Sequence, residues 1–315
     1  MRILVILAVL AVGLGALWAW YASDMAATRD RLAASSEIVE TALGPVEAAT
    51  WGEGPPALVI HGAGGGWDQG RVLAETLGGE GLRWIAVSRP GYLRTPLGAD
   101  PSPARQADLF AALLDSLGVE SVVVLAVSGG VPPALKLADR HPERVAGLAL
   151  VSSAPFSPFT LHDLDRAMPD WVVTALFLTD FPAWAISKVA PGLLDPIFDV
   201  KPGVRERLAA EDLAFVARML EAFLPVTDRV AGVGTEIAAI EPGAVYRLDE
   251  ITAPTLVVHA RDDGLNPFSV AERLAAGIEG AEIIRFETGG HLLLGHAGEV
   301  REAFRARFPP GGRGP

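Results

Sequence analysis

Ser128 stands in Leu125-Ala126-Val127-Ser128-Gly129-Gly130, directly after the apolar run Val122-Val123-Val124. A β-branched run that stops at small-x-Ser-x-small predicts a strand, a sharp turn with the serine at its apex, and a helix behind it. The flanking residues must be small because the turn brings strand and helix backbones together. Ala126 and Gly130 take the positions where two glycines are usual. A serine hydroxyl is a weak nucleophile and needs a positioned base, usually a histidine oriented by a buried carboxylate. The histidines are at 61, 141, 162, 259, 291 and 296. His291 closes Thr288-Gly289-Gly290-His291 just after an apolar run ending at Phe286, and Asp263 lies beside Asp262 just after the run Thr255–His259. Both follow predicted strands, at the edge where open α/β sheets place their sites. The chemistry implied is nucleophilic attack by Ser128 with His291 as base and Asp263 as acid.

Such chemistry also needs two backbone N–H groups aimed at a developing oxyanion. Gly129 supplies one. The other is expected from the loop after His61-Gly62, with Ala63 the first choice and Gly64 the alternative. Gly64-Gly65-Gly66 lets the backbone approach a ligand closely. It lacks the Gly-Lys-Ser/Thr of a phosphate loop. Plainer roles compete at several positions. Ser128 alone reads equally well as a helix start, His61 as a brace for the glycine-rich loop, His259 as a satisfied core histidine and His296 as a capping or surface residue too badly spaced from His291 for a metal pair. Arg89 is either a structural ion-pair partner or faces a substrate carboxylate. No metal site or cofactor is expected.

The elements that must position these groups follow from periodicity. Strands are predicted at Val46–Trp51, Ala57–Ile60, Trp84–Val87, Ser121–Val127, Arg144–Ser152, Thr255–His259 and Ala281–Phe286. Several are short continuous apolar runs, as expected of strands buried on both faces of a parallel sheet. Helices are predicted at Asp68–Leu77, Pro103–Leu117 with Ser102 as N-cap and Gly118 at its end, Pro132–Arg140, Pro267–Ile278 and Gly298–Phe308. The alternation implies a doubly wound, mostly parallel α/β sheet. It is interrupted at 155–245 by a stretch rich in Phe, Trp and Pro, read as a helical cap with helices at Phe159–Met168, Trp171–Thr179, Ala183–Ala190 and Val204–Leu224. Phe177, Phe181, Trp184, Phe215 and Phe223 form mostly the core of this cap. A few of them line the cleft, with Phe177, Phe181 and Trp184 the candidates, which favours an apolar substrate. The core is thus assigned to 46–154 and 246–308, with a disordered tail at 309–315.

Ahead of this domain, Ile3 to Ala22 is continuously apolar apart from aromatic tips, with Arg2 before it and Asp24 after. Twenty residues at about 1.5 Å rise span roughly the 30 Å of a bilayer core. Trp18, Trp20 and Tyr21 cluster at the distal end like an interfacial belt. Residues 3–22 are therefore expected to be a transmembrane anchor with the N-terminus inside and the domain outside, followed by a partly helical spacer at 23–45. A cleaved signal leading to secretion is the alternative. It suffers from an overlong apolar stretch and from Trp20, which lies three residues before a cut after Ala22.

Composition removes other classes. The 315 residues carry a net charge of −12 with lysine only at 136, 188 and 201, and no basic run, which argues against a nucleic-acid partner. There is no cysteine, hence no thiol nucleophile, disulfide or thiolate metal site.

Taken together, the His61-Gly62 loop, Arg89-Pro90-Gly91-Tyr92, the elbow at Ser128, Arg261-Asp262-Asp263 with Pro267, and Gly290-His291 resemble the α/β-hydrolase superfamily, from about Val46 to the end. The resemblance is to the branch with a helical cap inserted between the sixth and seventh strands. It implies the chain order Ser, Asp, His, and an acid four residues before the closing proline, which selects Asp263 over Asp262. Many relatives carry Asp where Ser88 stands. That departure leaves the Ser-His-Asp set untouched but alters the polarity of the strand edge. Serine at 128 argues against the dehalogenase and epoxide hydrolase members, which use a carboxylate. The resemblance implies hydrolysis of an ester or similar small acyl substrate through an acyl-enzyme. Carbon–carbon bond hydrolysis and cofactor-free haloperoxidase activity share the same triad. A non-catalytic scaffold binding a ligand or partner beside the membrane is the alternative of another class.

Overall fold

A computed structural model describes residues 1–156, 178–239 and 245–309. Eight strands, β1 (Glu37–Thr41), β2 (Gly44–Trp51), β3 (Pro56–Ile60), β4 (Arg83–Val87), β5 (Val122–Val127), β6 (Val145–Val151), β7 (Thr255–Ala260) and β8 (Glu282–Phe286), form one sheet in the order β1-β2-β4-β3-β5-β6-β7-β8. Only the β1–β2 and β2–β4 pairs are antiparallel; β4, β3, β5, β6, β7 and β8 run parallel. The apolar runs explain the burial. Ala57, Leu58, Val59 and Ile60 are all fully buried, because β3 is central and covered on both faces.

Alternation along each strand feeds two cores. Leu58, Ile60, Val124, Ala126, Leu148 and Leu150 face one side with α3 (Pro103–Ser116), α4 (Val131–Arg140) and α8 (Ser269–Gly277). Val59, Leu125, Val127, Ala149 and Val151 face the other with α2 (Trp67–Leu73), α9 (Ala297–Arg307) and cap residues. This is the doubly wound arrangement expected. Helix α3 starts as predicted, with Ser102 Oγ accepting from Arg105 N–H and Pro103 in its first turn.

The described cap helices α5 (Asp180–Val189), α6 (Ala210–Glu221) and α7 (Val230–Ala239) lie between β6 and β7. The expected helices Phe159–Met168 and most of Trp171–Thr179 lie outside the described residues, as do Phe177 and residues 310–315 of the tail. The single helix expected over Val204–Leu224 is divided. A 3-10 turn at Arg205–Arg207 is followed by extended backbone at Leu208 and Ala209, and only then by α6. Arg205 is drawn to Asp195 at 2.6 Å, a tertiary tie that periodicity does not register.

The expected spacer at 23–45 needs correction. Helix α1 runs unbroken from Arg2 to Ala34, so the apolar stretch and the helical first part of the expected spacer are one element. Its lower half is packed on the cap: Met25, Thr28 and Leu32 are buried, and Arg29 pairs with Asp180 and Asp228 at 2.6 and 2.9 Å. Residues 37–41 are the edge strand β1, part of the sheet rather than of a linker. Helix α1 is long and apolar enough to cross a membrane, and its most apolar 18-residue stretch is not buried in the protein.

Candidate active site

Parallel strands deliver their following residues to one edge. There, β3 leads to His61, β4 to Ser88 and Arg89, β5 to Ser128, β6 to Ser152, β7 to Asp263 and β8 to His291. Ser128 has φ of +53°, a left-handed conformation costly for a residue with a Cβ. The surrounding glycines make it possible. A Cβ on Gly130 would lie 2.3 Å from the Ile60 carbonyl, and one on Gly62 would lie 3.0 Å from Ser128 Cβ. Ala126, the variant position of the motif, is fully buried without needing to be glycine.

His291 Nδ1 is 2.9 Å from Asp263 Oδ2. Asp263 Oδ1 accepts from the N–H groups of Leu265 and Asn266 at 2.9 and 3.0 Å. Asn266 then links the Asp263 loop to Ser128, its Nδ2 donating to Ser152 O at 2.7 Å and to Ser128 Oγ at 3.3 Å. Ser152 Oγ in turn donates to the His291 carbonyl at 2.7 Å. Burial disfavours the Asp263 charge, but His291 and His259 outweigh it and hold the carboxyl well below its ordinary range. Burial likewise disfavours imidazolium at His291. The Asp263 carboxylate outweighs that, with Asp199 assisting, so the imidazole is more basic than usual.

Asn266, Asp199 and a second histidine were not anticipated here. His259, expected as a satisfied core residue, is fully buried with Nε2 3.2 Å from Asp263 Oδ2, and its Nδ1 has no hydrogen-bond partner. Its position four residues before Asp263, on the strand that ends there, was the available signal. Asp199, from the cap, accepts through Oδ2 from the N–H of Gly264 at 2.8 Å and of His291 at 3.2 Å, bridging the acid and base loops. Its neighbour Lys201 approaches Asp262, whose Oδ1 accepts from Gly290 N–H at 2.8 Å. Asp262 thus ties loops together and does not contact the imidazole, which touches Asp263.

On the other side of Ser128, Ala63 N lies 3.3 Å from where a Gly129 Cβ would stand, so the first-choice pair of amides are neighbours. The Gly64 backbone, the alternative donor, lies beside the Tyr92 hydroxyl. His61 is fully buried, with Nδ1 2.6 Å from Gly62 O and Nε2 accepting from Arg89 N–H at 3.0 Å. Burial and the Arg89 charge hold its pKa well below the ordinary value, so it stays neutral and braces the loop. Ser88 is fully buried and donates to Glu47 at 2.9 Å. A carboxylate thus reaches this strand edge from β2, beside the position where many relatives carry Asp.

The predicted pocket residues separate. Arg89 is 1% exposed and pairs with Glu236 of α7 at 2.7 Å. Phe181 and Trp184 pack on α1, where Trp184 meets Trp20 and Tyr21 edge-on at 4.9 and 5.2 Å and Phe181 meets Tyr21 at 5.3 Å. Their aromatic composition signalled burial but not which surface they bury. Phe223, from the described part of the cap, reaches the glycine-rich loop, 2.9 Å from a Cβ built on Gly64. His296 stacks on Phe286 at 4.0 Å and bonds Glu299, apart from any metal-ligand cluster among the described residues.

Comparison with known proteins agrees with this architecture. The chain is similar to an uncharacterized hydrolase, YcgS, of Bacillus subtilis, 29% identical over 79% of this chain and 89% of that protein. It is 30% identical to a pimeloyl-[acyl-carrier protein] methyl ester esterase of Aromatoleum aromaticum over 77% of this chain and 93% of that one. An α/β hydrolase fold protein from Nakamurella multipartita superposes with a TM-score of 0.74 at 32% identity, covering 88% of this chain and 100% of its own. The model of the alpha/beta hydrolase family matches residues 57–303, which hold Ser128, Asp263 and His291, and the chain belongs to that family.

Proposed function

We propose that this hydrolase is a serine hydrolase that cleaves an ester, or a similar small and apolar acyl compound, through Ser128. The observation that carries the reading is the His291–Asp263 contact of 2.9 Å at the sheet edge where the left-handed Ser128 stands. His291 Nε2 takes the Ser128 proton while Asp263 holds the Nδ1–H tautomer. Ser128 Oγ attacks the carbonyl carbon. The tetrahedral oxyanion is held by the N–H groups of Gly129 and Ala63. Collapse expels the leaving alcohol with the proton from His291, and water deprotonated by His291 then releases the acid. Binding is assisted by Phe223 over the glycine-rich loop. We further infer that α1 is an uncleaved membrane anchor. The contacts of Trp20 and Tyr21 with Trp184 support this, because a cut after Ala22 would remove both aromatic partners from a buried indole.

A fluorophosphonate probe should label the folded wild-type protein at Ser128, and Ser128→Ala should abolish the labelling. Peptide mass mapping locates the adduct. No labelling of folded wild type would sink the serine-hydrolase reading in favour of a non-catalytic binding scaffold.

A further inference from the structure

The buried cation beside the proposed oxyanion site is fully occupied by the protein itself. Arg89 Nε donates to Gln106 Oε1 at 3.0 Å, its Nη1 to Glu236 Oε1 at 2.7 Å and to His61 O at 3.4 Å, and its Nη2 to Glu236 Oε2 at 3.3 Å. Glu236 comes from the cap, and Tyr92 donates its hydroxyl to the same carboxylate. The Glu236 side chain is 16% exposed, whereas Arg89 is 1% exposed. The carboxylate stands at the reaction centre. Glu236 Oε2 is 2.7 Å from a Cβ built on Gly129, and Arg89 Nη1 and Ala63 N are each 3.3 Å from that point.

Two charges that cancel at this place have a consequence for substrates. An acyl chain carrying its own carboxylate would meet a fixed anion whose paired guanidinium, Arg89, is already satisfied, and desolvating it there would go uncompensated. An uncharged acyl chain meets a neutral cluster. We propose that Glu236 is a specificity-determining residue that restricts the Ser128 site to uncharged acyl groups, and that Arg89 is a latent carboxylate site masked by it. This rests on Ser128 being the nucleophile. Without Glu236 the guanidinium keeps two of its partners, Gln106 and the His61 carbonyl, and gains free donors facing the cleft. It then becomes a fork for a substrate carboxylate.

The test uses two short alkyl fluorophosphonates of equal chain length, one ending in methyl and one in carboxylate. Each phosphonylates Ser128 with loss of fluoride, so no knowledge of the natural substrate is needed. The readout is the ratio of the two second-order labelling rates, charged over neutral, in full-length protein. In wild type the neutral reagent should be at least ten times faster. In Glu236→Gln the ratio should rise at least tenfold, and Glu236→Ala should reproduce the direction. A merely structural Glu236 would slow both reagents together and leave the ratio unmoved. Equal rates in wild type, or an unchanged ratio in a folded Glu236 variant, would overturn the proposal while leaving the nucleophile intact. Failure of both reagents on folded wild type removes the reading of Ser128 itself. If neither variant folds, equal rates in wild type would still overturn the proposal.

Discussion

At the scale of single residues, the electrostatics around His291 set an expected pH profile. In the proposed mechanism the neutral imidazole is the base, and Asp263 and Asp199 stabilise its protonated form, so its pKa is raised above the ordinary 6.5. Hydrolysis should therefore fall off on the acid side at a pH higher than an ordinary histidine would give. Asp199→Asn removes one of the two anions. Its single amide oxygen can still accept from both Gly264 and His291 N–H, because both bonds go to one oxygen in the native protein. The acid limb of kcat/KM should then shift to lower pH with little loss of the plateau rate. A limb that stays put would mean that Asp199 acts on the loops alone. Asp263→Asn is a different matter. It removes the partner that holds the productive tautomer, and kcat should drop on the order of 10⁴-fold. The residues of these two predictions differ in how readable they are. Ser128, Asp263 and His291 each follow a strand within a few positions, so local pattern finds them. Asp199 acts on Gly264 across 65 positions and Glu236 on Arg89 across 147. Nothing near either residue in sequence announces a partner that far away.

At the scale of elements, close backbone approach couples the cap to the sheet. Gly232 N–H donates to Gly91 O at 2.8 Å, and a Cβ on Gly232 would stand 2.2 Å from the Tyr92 ring. That ring cannot yield easily, since its hydroxyl is held by Glu236. Gly232→Ala should cost about 1–3 kcal/mol through overpacking, measured as a lower urea midpoint. Gly234, two residues on in the same helix, meets nothing within 4 Å. Gly234→Ala should stabilise by up to about 1 kcal/mol through helix propensity. Equal effects at the two positions would argue against the close approach. Helix α7 was not among the expected cap helices: glycines at 232 and 234 lower its intrinsic propensity, and Gly232 is there for a neighbour. Strand β1 was missed for another reason. Glu-Ile-Val-Glu-Thr is an edge strand with little burial, and it lacks the apolar run that marks the central strands. The central strands and their helices were legible because they are buried on both faces, so their composition alone identifies them.

At the scale of the whole molecule, the direction of packing fixes which end of the cap would face a bilayer spanned by the proposed anchor α1. Helix α1 is 33 residues, about 50 Å. Its first 20 or so residues match a bilayer core, leaving the rest to descend along the cap. Asp180, at the start of α5, pairs with Arg29, and Lys188, near its end, pairs with Asp24 at 2.9 Å. The two helices are therefore antiparallel, and the C-terminal end of α5 lies toward the aromatic cluster of Trp18, Trp20 and Tyr21. Just there, Val189 and Leu193 are 85% and 68% exposed, bare apolar side chains that water does not favour. With α1 spanning a bilayer, both should sit in its interfacial layer. The chain has no cysteine, so a single engineered thiol reports from one place. An environment-sensitive fluorophore on Val189→Cys should shift to the blue when the full-length protein is reconstituted in phosphatidylcholine vesicles. The same fluorophore on Glu279→Cys, in the turn before β8 at the opposite edge of the sheet, should not. An identical response at both positions would exclude this orientation. A shift confined to 189 would place the cap, and the cleft beneath it, against the membrane surface, where an uncharged acyl substrate partitions from the lipid.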